Sequence, residues 1–237
     1  MKLLAKTKDL ILDILFPPIC IGCKNYLLES EKSEKICMKC FNSIKIYSSF
    51  FCPECKNRVT EQKIVCHKKI NFLLAPITNY QNIAVKNIIK FLKYKKWVSL
   101  KNIIKPLIHS YLDILGQDLK DFTVIPIPLH KDRYSERGFN QSKLIAEIVS
   151  EKININLNTN NLIRTRATKN QAELKNIQER LENIQNCFAL KNAEEIKNKN
   201  IIIVDDVFTS GSTVGEAVKI LKAAGAKKII ALVLARA

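Results

Sequence analysis

The sequence predicts an α/β protein, with a parallel sheet flanked by helices and a cysteine-rich module in front of it. Two observations carry this reading. Residues 200–204 form an apolar strand, 213–223 a helix closed by Gly225, and 229–234 a second apolar strand. A strand-helix-strand unit of this kind implies adjacent parallel strands covered on both faces. At the other end, seven of the eight cysteines fall between Cys20 and Cys66, mostly as Cys-x-x-Cys pairs, and only Cys187 stands apart. With 237 residues, 47% of them hydrophobic, the chain has room for one ordinary α/β core and a small accessory module. Residues 1–70 are assigned to the module and 71–237 to the main domain.

The elements follow in order. Leu3, Leu4, Leu10, Ile11, Ile14 and Leu15 recur at helical spacing between Lys and Asp residues, so 3–15 reads as an amphipathic helix stopped by Pro17 and Pro18. Such a helix packs on its own protein or lies on an anionic membrane surface. No run of about 18 uncharged apolar residues exists to span a membrane. The first sixteen residues carry five charges and no small-residue cleavage site, so they are not a secretory signal, and a cytoplasmic protein is expected. From Cys20 to about Lys69 the chain makes short turns that could not bury a core without a cross-link. A strand over 72–77 and helical stretches over 85–94 and 100–115 open the main domain. A strand over 122–127 and a helix over 142–152 come next, and the polar stretch 167–186 reads as a mobile loop leading into a helix.

The formal net charge of +17 has two explanations. It attracts nucleic acid, anionic lipid or phosphorylated ligands, or it is a solvated basic surface on a chain rich in Lys, Asn and Ile.

Cys20-x-x-Cys23 and Cys37-x-x-Cys40 are separated by thirteen residues, a spacing at which four thiolates converge on one zinc ion. In a chain without an export signal such cysteines are metal thiolates rather than disulfides. A full four-cysteine shell leaves no open position for water, so the zinc is structural. A second set, Cys52, Cys55 and Cys66, lacks a fourth cysteine. Cys66, His67 or both complete a second site there, or the knuckle has lost its metal. Cys187 reads as a small buried hydrophobe.

The densest chemical signal is Ile201-Ile202-Ile203-Val204-Asp205-Asp206-Val207-Phe208-Thr209-Ser210-Gly211-Ser212-Thr213. An apolar strand delivers two carboxylates to the sheet edge, and a small hydroxyl-rich loop then opens a helix. Gly211 lets the backbone approach a ligand closely, and the amides of Ser210–Thr213 point at the positive end of the helix, a setting that favours phosphate. The hydroxyls of Thr209, Ser212 and Thr213 add donors. The carboxylates repel that phosphate unless vicinal hydroxyls or a hydrated magnesium ion intervene, so a sugar 5-phosphate fits. A Walker-type loop is excluded by the missing Gly-Lys-Ser/Thr ending.

This stretch resembles the phosphoribosyl pyrophosphate loop of type I phosphoribosyltransferases. Further stretches resemble one branch of that fold, the ComF family. Val124-Ile125-Pro126-Ile127-Pro128-Leu129-His130, followed by Arg133 and Arg137-Gly138-Phe139-Asn140-Gln141, is similar to its Pro-x-Pro-Leu and Arg-Gly-Phe-Asn-Gln block. Arg164, Arg166, Gln171, Leu174, Arg180, Asn183 and Phe188 follow its Arg…Gln…Leu…Arg…Asn…Phe pattern. The departure is the incomplete fourth knuckle. The resemblance implies a type I phosphoribosyltransferase-like sheet, phosphoribosyl pyrophosphate with magnesium as ligand, and a link to DNA uptake in competent bacteria.

On that reading Asp205 and Asp206 are the catalytic pair, and Val207, Thr209, Ser210, Gly211, Ser212 and Thr213 form the phosphate loop. Arg133 and Arg137 either neutralise pyrophosphate or form surface ion pairs. Arg164 and Arg166, with the polar stretch after them, form a hood that excludes water, or a flexible connector. His130, with no visible carboxylate partner, reads as a loop residue without catalytic duty, and Trp97 and His109 as packing residues. Three functions are compatible with these residues. They are phosphoribosyl transfer to an unidentified acceptor, non-catalytic binding of phosphoribosyl pyrophosphate by a protein that holds single-stranded DNA or a DNA-uptake partner, and a purely structural zinc adaptor.

Overall fold

The computed structural model describes residues 13, 15, 17–59, 67, 70–94, 100–168 and 176–237. Most of the helix expected over 3–15 lies outside them, as do Cys66, Trp97 and residues 169–175; Asp13 and Leu15 are helical, and Asp13 pairs with Lys32 at 2.5 Å. The elements in chain order are α1 (Met38–Asn42), β1 (Phe50–Phe51), β2 (Arg58–Val59), β3 (Leu73–Asn79), α2 (Ile83–Tyr94), α3 (Lys101–Leu115) and β4 (Phe122–Pro126). Then come α4 (Lys131–Arg137), α5 (Gln141–Ile153), β5 (Leu162–Arg164), α6 (Ile177–Ile184), β6 (Phe188–Leu190), β7 (Asn200–Phe208), α7 (Ser212–Ala223) and β8 (Ile229–Arg236). No described helix is long and apolar enough to cross a membrane.

The main sheet runs β2-β1-β3-β8-β7-β4. Its four long strands are parallel, with Ile202 opposite Ile230 and Val124 opposite Ile202. Side chains alternate across such a sheet, and here the alternation divides two cores. Ile202, Val204, Ile230 and Leu232 face α2, α3 and α5, whereas Ile201, Ile203, Ala231 and Val233 face α7 and the β5–β6 pair. Both faces being covered explains why β7 and β8 read as continuous apolar runs. Cys187 is buried in the second core, as expected of a small hydrophobe.

The cysteine-rich half does more than make turns. Its β1–β2 hairpin pairs antiparallel with the edge of β3 through Phe51 and Leu74. Cys20, Ile21, Leu27, Ile36 and Ile44 join the first core. Arg236 on β8 fixes the second knuckle, stacking 3.9 Å from the Phe51 ring and donating to the Lys56 carbonyl at 2.8 Å.

The sulfurs of Cys20, Cys23, Cys37 and Cys40 lie within 4.8 Å of one another, and Cys23 and Cys37 are 3.8 Å apart. A tetrahedral zinc with bonds of about 2.3 Å separates its sulfurs by about 3.8 Å, so the set fits. Burial would raise the Cys20 thiol, but amides of Cys37, Cys23 and Gly22 outweigh it and bring the pKa to about 7. Burial and the neighbouring thiols push Cys40 the other way. Four thiolates this close repel, and a divalent cation removes that conflict. Gly22 is required by packing: a Cβ there would meet the Cys40 sulfur at 2.7 Å. In the second set, Cys52, Cys55 and His67 place their donor atoms within 4.8 Å, with Cys52 Sγ 3.5 Å from His67 Nδ1.

The first knuckle also grips α2. Asn87 Nδ2 donates to the Ile21 carbonyl at 2.6 Å, Gly22 sits against Ala84, and Lys24 lies over the Phe91 ring at 5.6 Å. Cys37→Ser removes one of four ligands, and we expect it to lower bound zinc by about one equivalent and to open residues 17–59 to protease. Elemental analysis with limited proteolysis checks this; wild-type metal content and wild-type resistance together would contradict it.

Candidate functional site

At the carboxyl end of β7 the strand carries Asp205 and Asp206 past the point where the apolar run stops. It continues to Phe208 because the backbone keeps pairing with β8, Asp205 opposite Val233 and Phe208 opposite Arg236. Ser142, in the first turn of α5, donates to Asp205 Oδ1 at 3.0 Å, and the Asp206 amide donates to the same oxygen at 2.9 Å. Asp206 pairs with Lys93 of α2 at 2.9 Å. Burial, and then the charge of Asp206, raise the Asp205 carboxyl to a pKa of about 6. Burial works against the Lys93 ammonium, yet the adjacent Asp206 outweighs it and the net shift is upward.

Beyond Phe208 the chain turns through Gly211, whose φ of +79° suits glycine, and enters α7 at Ser212. A Cβ on Gly211 would also stand 2.6 Å from the Phe208 ring, which is itself buried and set edge-on to Phe72. Gly211 is the N-cap and no side chain caps α7. The Ser210 and Ser212 hydroxyls bond each other at 2.6 Å, and the Ser212 amide reaches Ser210 Oγ only at 3.4 Å. The first-turn amides therefore look outward with the helix dipole behind them, as an anion requires.

A cleft of about 570 Å³ joins these parts. Both carboxylates and the loop Val207–Thr213 line it, together with Arg133, Arg137 and Arg164. Arg133 is held by the Thr168 carbonyl at 2.8 Å and Arg137 by Gln141 at 3.2 Å. Arg164 donates to the Thr168 hydroxyl and lies over Phe188 at 5.5 Å. Its Nε is buried without a hydrogen-bond partner among the described residues. Arg166 is not brought to the cleft; its guanidinium is fixed on the carbonyls of Asn183 and Gln185 at 3.0 and 2.9 Å.

His130 has a carboxylate neighbour that sequence reading did not find. It caps α4, accepting from the Asp132 amide at 3.4 Å and lying 3.1 Å from the Asp132 carboxylate. Sequence reading also missed Ser142, Lys86, Lys90 and Lys93 as cleft residues, and assigned no role to Arg180, which lines it too. The lysine spacing of four and three residues marks one helical face and was the available signal.

Comparison with known proteins agrees with this architecture. Residues 141–237 match the family described as Phosphoribosyl transferase domain, and residues 11–69 match the Double zinc ribbon domain. The latter match covers the four-sulfur cluster and supports zinc in a structural role. The chain is 36% identical over 116 residues to Competence protein F of Haemophilus influenzae, covering 48% of this chain and 50% of that protein, so it spans about half the length of that relative. It is 28% identical over 207 residues to Competence protein ComFC of Bacillus subtilis, covering 83% and 80%. It is 27% identical over 205 residues to DNA utilization protein YhgH of Escherichia coli K12, covering 82% and 87%. A crystal structure of TT1426 from Thermus thermophilus aligns over 56% of this chain and 72% of that one at 15% identity, with a TM-score of 0.32 too low to carry an argument. A phosphoribosyltransferase-like domain joined to a double zinc ribbon, in the company of these relatives, supports a ComF family protein.

Proposed function

We propose that the cleft binds phosphoribosyl pyrophosphate with magnesium and transfers the phosphoribosyl group to an acceptor. The observation that carries this is the placement of Asp205 and Asp206 between an uncapped helix start and a set of arginines in one cleft. Neither half alone selects this ligand. A bare phosphate would meet two carboxylates, and a plain sugar would make no use of the guanidinium groups that line the cleft. A sugar bearing a 5-phosphate at the Gly211–Thr213 amides, hydroxyls at the carboxylates and pyrophosphate at Arg133, Arg137 and Arg164 matches all three.

In the transfer, the bond between the anomeric carbon and the pyrophosphate oxygen breaks, and pyrophosphate leaves with the electron pair. A lone pair of the acceptor forms the new bond to that carbon, and the proton it sheds passes to solvent. The arginines stabilise the charge that gathers on the departing pyrophosphate, and Asp205 and Asp206 hold the ribose so that its reacting carbon faces the cleft. Magnesium, when bound, neutralises the pyrophosphate. Relatives named for competence and DNA utilization support a role in DNA handling, which we assign to the cytoplasm. We further assign residues 1–70 to a metal-bound module and 71–237 to the transferase domain, with Cys52, Cys55 and His67 as ligands of a second zinc.

Asp206→Asn removes a charge-assisted bond to a hydroxyl, worth on the order of 1.5–3 kcal/mol, so donor affinity should fall roughly ten- to a hundredfold with the fold intact. Gly211→Val should abolish binding, because its side chain collides with Phe208. Calorimetry with phosphoribosyl pyrophosphate and Mg²⁺ measures both, and equal affinities across wild type and the two variants would refute the donor site. Pyrophosphate release with an acceptor then separates transfer from binding alone.

The acidity of Asp205 gives a second expectation. With its folded pKa raised to about 6, the fold favours the protonated carboxyl, and that contribution to stability is present below the unfolded value and lost as pH rises through about 6. Donor hydroxyls and magnesium favour the ionised form. Donor affinity should therefore increase from pH 5 to pH 7, and Asp205→Asn should flatten that rise while stabilising the ligand-free protein above pH 6. Binding isotherms and melting curves across the range test both; an unaltered pH dependence in the variant would contradict the assignment.

A further inference from the structure

One wall of the cleft has no task in the donor site. Helix α2 presents Lys86, Lys90 and Lys93 along one face, and all three line the cleft. Lys93 is neutralised by Asp206 at 2.9 Å. Lys86 and Lys90 are exposed and form no ion pair among the described residues. Like charges four residues apart on a helix repel and destabilise it slightly, so the pair has an electrostatic cost that an anion would reverse. At 1.5 Å per residue, Lys86 lies about 10 Å along the axis from Lys93. The row thus starts at a carboxylate assigned to the ribose and leads away from it. The donor's own phosphates are already served by the α7 amides and the arginines of α4 and β5.

The wall is also fixed in place. Asn87, between the two free lysines, donates to the Ile21 carbonyl of the first knuckle at 2.6 Å, and Ala84 abuts Gly22. With Val85, Ile88, Ile89 and Leu92 buried in the first core, these contacts hold the two lysines at the cleft wall.

Building on the donor reading, we infer that Lys86 and Lys90 bind a phosphate carried by the acceptor, so that the second substrate is a phosphorylated one and not a free base or nucleoside. The phosphate belongs to a mononucleotide or to a nucleic-acid strand, which share this chemistry.

The test titrates the full-length protein, with phosphoribosyl pyrophosphate and Mg²⁺ bound, against thymidine, thymidine 5′-monophosphate and 5′-phosphorylated tetrathymidylate. Wild type should prefer the phosphorylated probes to thymidine by about tenfold or more. The Lys86→Ala/Lys90→Ala variant should lose that preference while its donor affinity stays at the wild-type value, and its log–log salt slope for the tetranucleotide should shrink by on the order of one unit. Lys86→Arg/Lys90→Arg should restore both. Monophosphate binding equal to the tetranucleotide assigns the phosphate to a mononucleotide, and a stronger tetranucleotide assigns it to a strand. The inference is overturned if thymidine binds as well as its phosphorylated forms, if none of the three binds, or if the alanine variant keeps the preference. Failure of wild type to bind the donor is a separate result that refutes the donor reading, and the same titrations without donor still report on the lysines.

Discussion

The parallel pairing of β7 between β4 and β8 is the constraint from which the site's geometry follows. Backbone bonds on both sides leave β7 no freedom of register, and the alternation of Ile201 to Val204 between two cores fixes its rotation as well. A one-residue slip would carry each isoleucine to the opposite face and would move Asp205 and Asp206 out of reach of Ser142 and Lys93. The position of a strand edge thereby determines the position of two charges. Because the pairing with β8 continues through Phe208, the turn at Gly211 is set against a buried ring, and the α7 amides inherit the same fixed frame.

That frame accounts for one side of the cleft. A further wall is brought by α2, which packs on the first knuckle of the cysteine-rich module. The Cys20 turn presents its backbone to Asn87, and the close contact of Gly22 with Cys40 and Ala84 leaves no room for another residue. The sulfur cluster is more than 100 positions away in sequence from the carboxylates, yet only one helix separates the two in the structure. Lys93, in the last turn of that helix, closes the path at Asp206.

The parts legible in the sequence were those with a strong local pattern. The 200–234 unit announced itself through β-branched runs and a closing glycine, and the first four cysteines through spacing alone. The strand over 200–204 runs on to Phe208, since two aspartates interrupt a hydrophobic pattern without interrupting hydrogen bonds. The β1–β2 hairpin and the β5–β6 pair went unseen because strands of two or three residues have no periodicity, and β5 and β6 lie far apart along the chain. Lys86 and Lys90 were overlooked because lysines opposite an apolar stripe have the same pattern whether they face water or a cleft. Arg166 shows the converse: a residue chosen by motif position whose guanidinium is taken up by two backbone carbonyls.

The short hairpin has a consequence outside the site. β3 would otherwise be the outer strand of the sheet, seven residues long and apolar, with a free row of amides and carbonyls along one side. β1 covers part of that row, with Phe51 opposite Leu74, β2 pairs in turn with β1, the Cys52–Cys55 turn joins the two, and the outermost strand bears Arg58. A short, charged margin of this kind gives another chain little to extend. A margin built on the Cys52–Cys55 turn ties the sheet's protection against edge-to-edge association to the shape of that turn, quite apart from anything that happens in the cleft.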